Sequence, residues 1–119
     1  MEDFQTISKE ELKAKMDAGS VIVINVLSRA SFETIHLAGS LSIPIDQLQG
    51  GEWQKLDKNK EVIVYCANYD CNESKLAAVF LQEKGFNVKA YEGGIKDWSE
   101  SGYPVEGTML KFFKIKPKA

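Results

Sequence analysis

Thiols and imidazoles are scarce in this chain of 119 residues, which holds 2 cysteines and 1 histidine. Two cysteines are too few for a disulfide framework. With His36 as the single histidine, the usual four Cys/His ligands of a structural zinc site cannot be assembled within one chain. No metal and no other cofactor is therefore expected. Long apolar runs are missing as well. The longest, Val21-Ile22-Val23-Ile24, falls far short of the ~20 residues that a membrane span needs. The start, Met1-Glu2-Asp3-Phe4, is acidic and no apolar h-region follows, so no secretory signal is expected. Nor does one sign of charge dominate: 15 basic against 17 acidic side chains leave a formal charge of −2. That balance argues against nucleic acid as the main partner, which would want a basic face. A cytoplasmic protein with no membrane and no nucleic-acid partner is the expectation.

What is present suits one globular domain. The length matches a single domain, and 44% apolar with 27% charged residues is ordinary for a folded protein. A domain of this size buries roughly two-thirds of the surface its unfolded chain exposes, enough to fold without staples. No repeat, low-complexity tract or linker interrupts it. The expected division is a domain over residues 1–107 and a C-terminal extension, 108–119, packed on it or partly mobile.

Elements alternate along the chain. Ser8 and Glu11 have capping-box spacing, so a helix is expected from there to about Asp17, stopping at Gly19. Val21 to Val26, interrupted only by Asn25, reads as a strand buried on both faces of a parallel sheet. A short helix over Ser31–Leu37 and a short strand over Leu41–Ile43, closed by Pro44, are expected next. Ile45–Leu56 reads as a helix weakened by Gly50-Gly51. After a turn at Asp57–Lys60, Val62–Tyr65 is a second buried strand ending at Cys66. Glu73–Lys84 follows as a helix, with Asn72 as its cap, Leu76, Ala77, Phe80 and Leu81 on its apolar face and Gly85 just past its end. Asn87–Tyr91 is a strand, Gly93-Gly94 a turn and Ile95–Glu100 a short helix. Such alternation means βαβ units and a mostly parallel sheet covered by helices.

In sheets of that kind, ligands bind beyond the carboxyl ends of the strands. Here that place is the segment Cys66-Ala67-Asn68-Tyr69-Asp70-Cys71-Asn72, between a buried strand and a helix. Unpaired N–H groups at the helix start favour an anion, which lowers a thiol's pKa from its free value of about 8.5. A thiolate among backbone amides is a nucleophile or a sulfur carrier. An inert buried thiol fits the same spacing. Spacing also leaves open which sulfur reacts, because Cys71 is nearer the helix start than Cys66.

Over roughly residues 4–106 the sequence resembles the single-domain rhodanese-like sulfurtransferases. The resemblance rests on four pieces in order. They are Val21–Val26 followed by Phe32, His36, Gly39-Ser40 and Ile43-Pro44; Val62-Ile63-Val64-Tyr65-Cys66; Gly93-Gly94-Ile95-Lys96-Asp97-Trp98; and Gly102-Tyr103-Pro104-Val105. It implies an α/β/α three-layer domain with a mostly parallel central sheet. It also implies a cysteine that takes a sulfane sulfur from thiosulfate or a persulfide and passes it to cyanide, a thiol or a thiol-carrying protein. The family's catalytic cysteine falls on Cys66. Ala67, Asn68, Tyr69, Asp70, Cys71 and Asn72 fall where the family's loop surrounds the substrate. A monomer or weak dimer is expected.

Departures from the family pattern are equally specific. The common loop reaches its helix serine about two residues sooner than Cys66 reaches Ser74, and it usually carries an arginine. Here Ala67–Glu73 has no basic residue and two acidic ones, Asp70 and Glu73. Two unit charges ~6 Å apart at an effective dielectric of ~20 interact by about 3 kcal/mol before salt screening. The helix N-terminus favours an anion by only about 0.3–1 kcal/mol. Weak use of the thiosulfate dianion is therefore expected, unless both carboxylates face water. Asn25 and Leu27 stand where the family usually has an aspartate and an arginine; losing both charges together is tolerable because neither is stranded. Arg29 either restores positive charge near the site or is an exposed surface residue.

Cys71 adds a second thiol. It either resolves a persulfide or sulfenic acid on Cys66 as an intramolecular disulfide or is a small loop residue without a partner. His36 is expected to pack or hydrogen-bond in a turn rather than act as a base, and Trp53 and Trp98 to be core or rim aromatics. Tyr69 either lines the pocket mouth or is exposed. In the tail, Met109–Lys118 mixes large apolar residues with lysines, a pattern that packs on the domain or offers a basic patch. Phosphatase chemistry would need an arginine six positions after Cys66 to clamp phosphate, and that position is Asn72. Transferase, thiol redox switch and catalytically weak binding module remain as readings, in that order.

Overall fold

The structure is a computed structural model and describes residues 4–110. In chain order it runs β1 (Gln5–Thr6), α1 (Lys9–Asp17), β2 (Val21–Asn25), α2 (Arg29–Thr34), β3 (His36–Leu37), β4 (Leu41–Ser42) and α3 (Ile45–Gln49). A 3-10 turn (Glu52–Lys55) precedes β5 (Glu61–Tyr65), α4 (Glu73–Glu83), β6 (Val88–Tyr91), α5 (Gly94–Glu100) and β7 (Val105–Glu106). Five strands form one sheet in the order β1-β6-β5-β2-β4, with every pairing parallel. β3 and β7 make a separate antiparallel pair, His36 opposite Glu106 and Leu37 opposite Val105.

Helices cover both faces, and the alternation of side chains along the strands divides the core accordingly. Ile24, Val26, Val62, Val64, Cys66, Val88 and Ala90 point to one side, against Leu48 of α3 and Ala77, Ala78 and Leu81 of α4. Val23, Ile63, Tyr65 and Tyr91 point to the other, against Leu12 of α1 and Ile95 and Trp98 of α5. Each fully buried valine or isoleucine of β5 contributes roughly 1.5–3 kcal/mol relative to exposure. The same alternation continues past the end of the strand. It sends Cys66 under α4 and Tyr65 to the opposite face.

Several local expectations shift. The helix expected over Ser31–Leu37 begins earlier, at Arg29, because Ser28 Oγ accepts the Ser31 N–H at 3.2 Å. It ends at Thr34, and His36–Leu37 instead pair with β7. The helix expected over Ile45–Leu56 breaks at Gly50-Gly51 into α3 and the 3-10 turn. Leu76 is 55% exposed rather than on the apolar face of α4, whose buried residues are Ser74, Ala77, Ala78 and Leu81. Trp98 is core and Trp53 is rim, with Lys84 Nζ 5.1 Å from the Trp53 ring. Of the expected extension, Thr108 donates its N–H to the Glu33 carbonyl at 2.9 Å and Leu110 packs on the Trp98 side of the core. Residues 111–119, with the lysines of the tail, lie outside the described residues, as does Met1-Glu2-Asp3. No helix among the described residues is long and apolar enough to cross a membrane.

Candidate functional site

β5 lies in the middle of the sheet, and its carboxyl end delivers Cys66 into the loop before α4. The loop turns back on itself over Asn68. The Asn68 side-chain oxygen accepts the Asp70 N–H at 2.9 Å, and its carbonyl accepts the Cys71 N–H at 3.1 Å. This local turn, typical of asparagine, brings Cys71 over Cys66, and the two sulfurs are joined as a disulfide with their Cα atoms 6.4 Å apart. Cys66 is 1% exposed, whereas Cys71 is half-buried. The Ser74 hydroxyl lies 3.5 Å from Cys66 Sγ, and Glu73 Oε1 lies 2.9 Å from Cys71 Sγ.

α4 starts directly behind these sulfurs. Its first intrahelical bond runs from the Leu76 N–H to the Asn72 carbonyl, so the N–H groups of Glu73, Ser74 and Lys75 have no partner in the helix. Asn72 occupies the cap position but makes no side-chain capping bond, contrary to the role expected for it. A cap would have competed for those donors. Their partial positive charge, with the helix dipole, favours negative charge on sulfur.

Two supports hold the loop's first residues. From α5, the Ile95 N–H donates to the Cys66 carbonyl at 3.1 Å and the Lys96 N–H to the Ala67 carbonyl at 2.9 Å. That approach requires glycine at 94. Gly94 has φ +64, and a Cβ there would stand 2.8 Å from the Ala67 carbonyl carbon and closer still to the Cys66 carbonyl oxygen. On the other face, Tyr65 ends in a closed network. Its hydroxyl accepts from Asn25 Nδ2 at 3.2 Å and from the Leu37 N–H at 3.1 Å, and lies 2.7 Å from Ser40 Oγ. Ser40 spends its own proton on the Leu37 carbonyl at 2.7 Å, so the tyrosine donates to it. Asn25 Oδ1 accepts the Leu27 N–H at 2.9 Å. A neutral pair thus replaces the charges of the family pattern at 25 and 27, and no buried charge is stranded. Burial pushes the Tyr65 phenol up despite its hydrogen bonds to Ser40, Leu37 and Asn25.

The expected site residues divide into two groups. Cys66, Cys71, Ala67 and Asn68 are brought together at the strand end, while Tyr69, Asp70, Asn72 and Glu73 are exposed. Tyr69, at 63% exposure, does not close a pocket mouth over the sulfurs. Arg29 is exposed too, on the wall of a 350 Å³ cleft that Glu73 also lines. A second cleft, of 470 Å³, runs along Leu27, Ile35, Ala67, Asn68 and Ile95, with Lys96 at its side. A third, of 340 Å³, lies between Lys9, Tyr69, Tyr91 and Asp97. None of the three has Cys66 in its wall. Among the described residues, one group could hold a metal ion, and only with the bridge reduced to thiolates: Cys66, Cys71 and Glu73 bring two sulfurs and a carboxylate oxygen within 4.8 Å of one another. His36 is held away from the site. Its Nδ1 donates to the Phe32 carbonyl at 2.6 Å, and its ring stacks on Phe32 at 3.7 Å.

Sequence reasoning did not single out Ser74 or the Gly94–Lys96 clamp as parts of the site. Gly93-Gly94 in front of a helix was the available signal, since a paired glycine there marks close backbone approach as well as a turn.

The pattern of a rhodanese-like domain matches residues 8–101. Over 100 residues the chain is 26% identical to an HTH-type transcriptional regulator of Mycobacterium tuberculosis, covering 84% of this chain and 44% of that protein. It therefore spans less than half the length of that relative. A solved rhodanese-related protein of Thermoplasma volcanium is 32% identical with a TM-score of 0.77, over 87% of this chain and 98% of that one. A Bacillus halodurans protein is 29% identical with a TM-score of 0.82, over 88% and 78% of the two chains. With a matching pattern over most of its length and the strand order described above, the chain belongs to the rhodanese-like domain family.

Proposed function

We propose that this chain is a sulfurtransferase that carries sulfane sulfur as a persulfide on Cys66. The observation that supports it most is the seat of Cys66, buried at the carboxyl end of the central strand and facing the uncapped start of α4. In the dithiol state, the Cys66 thiolate attacks the outer sulfur of a donor. With thiosulfate the leaving group is sulfite; with an alkyl persulfide it is the thiol. The N–H groups of Glu73, Ser74 and Lys75 and the Ser74 hydroxyl offer donors to the charge on the persulfide. A thiolate or cyanide then attacks the terminal sulfur and restores the Cys66 thiolate. Asp70 is exposed, but Glu73 Oε1 lies 2.9 Å from Cys71 Sγ, so a persulfide of low charge suits the site better than the thiosulfate dianion. The Cys66–Cys71 disulfide has no thiolate to begin the reaction and must be reduced first.

The test is intact mass of reduced Cys71→Ser protein after thiosulfate or glutathione persulfide, with Cys66→Ser as the comparison. Cys71→Ser should gain the mass of one sulfur atom and Cys66→Ser should not. No gain from either donor overturns the proposal.

The disulfide favours a second reading, a thiol redox switch. Mild oxidation of the dithiol should then remove two hydrogens from the mass, and Cys71→Ser should abolish that change.

A further inference from the structure

Resting on the Cys66 persulfide just proposed, we infer that Cys71 gives the chain a further activity: reduction of the carried sulfur to hydrogen sulfide. The geometry sets the two thiols against each other. The Asn68 turn places Cys71 over Cys66, and their sulfurs are in bonding contact with both the strand and the helix intact. Cα atoms 6.4 Å apart lie within the span of ordinary disulfides, about 4.4–6.8 Å. Cys66 is buried, and none of the clefts described above opens onto it. Cys71 thus already stands at the inner sulfur, whereas a dissolved acceptor approaches the terminal one. An intramolecular nucleophile held at contact outcompetes a dissolved thiol by its effective concentration.

The reaction balances without a further reagent in its first half. Cys71 attacks the inner sulfur of the Cys66 persulfide. The Sγ66–Sγ71 bond forms, the bond to the outer sulfur breaks, and that sulfur leaves with the electron pair of the broken bond. The proton that Cys71 carries in the dithiol passes to the departing sulfur, with Glu73 Oε1 only 2.9 Å from Cys71 Sγ to relay it, and HS− is released. The outer sulfur gains two electrons, one from each cysteine sulfur. The second half uses a dithiol, small or carried on a protein. It attacks the more accessible sulfur, that of Cys71, and expels the Cys66 thiolate toward the α4 N-terminus. Access to the attacked sulfur governs the exchange, so the order of attack matches the burial. The dithiol becomes a disulfide, and both cysteines are returned as thiols. Substrates are thus a thiosulfate or alkyl persulfide donor and a dithiol reductant.

A single turnover separates this inference from the reading beneath it. Fully reduced wild-type protein, freed of reductant, is mixed with one equivalent of thiosulfate or glutathione persulfide. Sulfite or glutathione reports loading of Cys66, and sulfide reports attack by Cys71. Wild type should release sulfide in step with loading and end two hydrogens lighter than the dithiol. Cys71→Ser and Cys71→Ala should load, retain the sulfur and lose sulfide release. Loading of wild type without sulfide release overturns this inference and leaves the transferase intact. Sulfur found on Cys71 at the end of the turnover likewise overturns it. No loading from either donor, with the protein folded by circular dichroism, overturns both. With excess dithiothreitol, wild type should turn over repeatedly while Cys66→Ser and Cys66→Ala release none.

Discussion

Replacing Gly94 by alanine perturbs the clamp between α5 and the cysteine loop at a single carbon. Two costs arise. An L residue at φ +64 loses about 1–2 kcal/mol to the left-handed conformation alone. The added Cβ would also sit 2.8 and 2.9 Å from the Ala67 carbonyl carbon and oxygen, a contact with backbone that no rotamer relieves. Overpacking of this kind costs about 1–3 kcal/mol. The sum, roughly 2–5 kcal/mol, is a large part of the 5–15 kcal/mol by which domains are stable. With a urea slope of about 1.5 kcal/mol/M, the unfolding midpoint should fall by roughly 1.3–3.3 M. Gly19 provides the control. It has φ +69 but nothing within 4 Å of a Cβ, so Gly19→Ala should lose only the conformational part, about 0.7–1.3 M in midpoint. Sulfur loading should separate the two further, because only the Gly94 substitution pushes on the carbonyls of Cys66 and Ala67. Equal midpoints for the two variants would refute the steric argument and leave Gly94 as a turn residue only.

The other predictions concern the network, the charges and the ion cluster. Tyr65→Phe removes the acceptor of two buried donors, Asn25 Nδ2 and the Leu37 N–H, and should destabilise by roughly 2–4 kcal/mol in urea unfolding. Glu73→Gln removes a negative charge from the first turn of α4 and should raise loading by thiosulfate roughly two- to fivefold, with a smaller change for a singly charged alkyl persulfide. Glu61 joins Lys15 of α1, at 2.6 Å, and Lys89 of β6. Burial pushes its carboxyl up, but the hydrogen bonds and charges of the two lysines outweigh that and hold it below its ordinary 4.5. A depressed carboxyl stabilises the fold above the unfolded value and ceases to do so as pH falls through the folded one. Wild type should therefore lose stability below about pH 4.5 more steeply than Glu61→Gln, measured by urea midpoints across pH.

How far the sequence could be read depended on the range of the interactions involved. β2 and β5 were legible because a strand covered on both faces must be apolar throughout, and Val21–Ile24 and Val62–Val64 are. β1 was not: two exposed residues carry no period, and only their pairing with Lys89 and Ala90 makes them a strand. The β3–β7 pair joins residues some 70 apart, and neither His36-Leu37 nor Val105-Glu106 signals it locally. The start of α2 was readable in principle from Ser28, whose hydroxyl caps it. At the site, a burial-by-periodicity argument placed Cys66 at the end of a strand but could not orient Cys71. That orientation comes from two hydrogen bonds to Asn68, a loop conformation rather than a pattern. Asn25 interrupted an apolar run for a reason that lies 40 positions away, in the hydroxyl of Tyr65.

The bridge between Cys66 and Cys71 encloses a very short stretch of chain, with a sequence separation of 5. A cross-link restricts the denatured chain in proportion to the logarithm of the loop it closes, and for so small a ring the gain is only about 2 kcal/mol. The rest of the domain, with its two cores and five-stranded sheet, stands without it. Opening this bond therefore changes the chemistry of the strand end and also lowers the melting point, by roughly 3–6 °C for each kcal/mol in a domain of this size. Folding and the oxidation state of the thiols are thus linked by about 2 kcal/mol: the bridge steadies the folded domain, and the folded domain in the same measure favours the bridge.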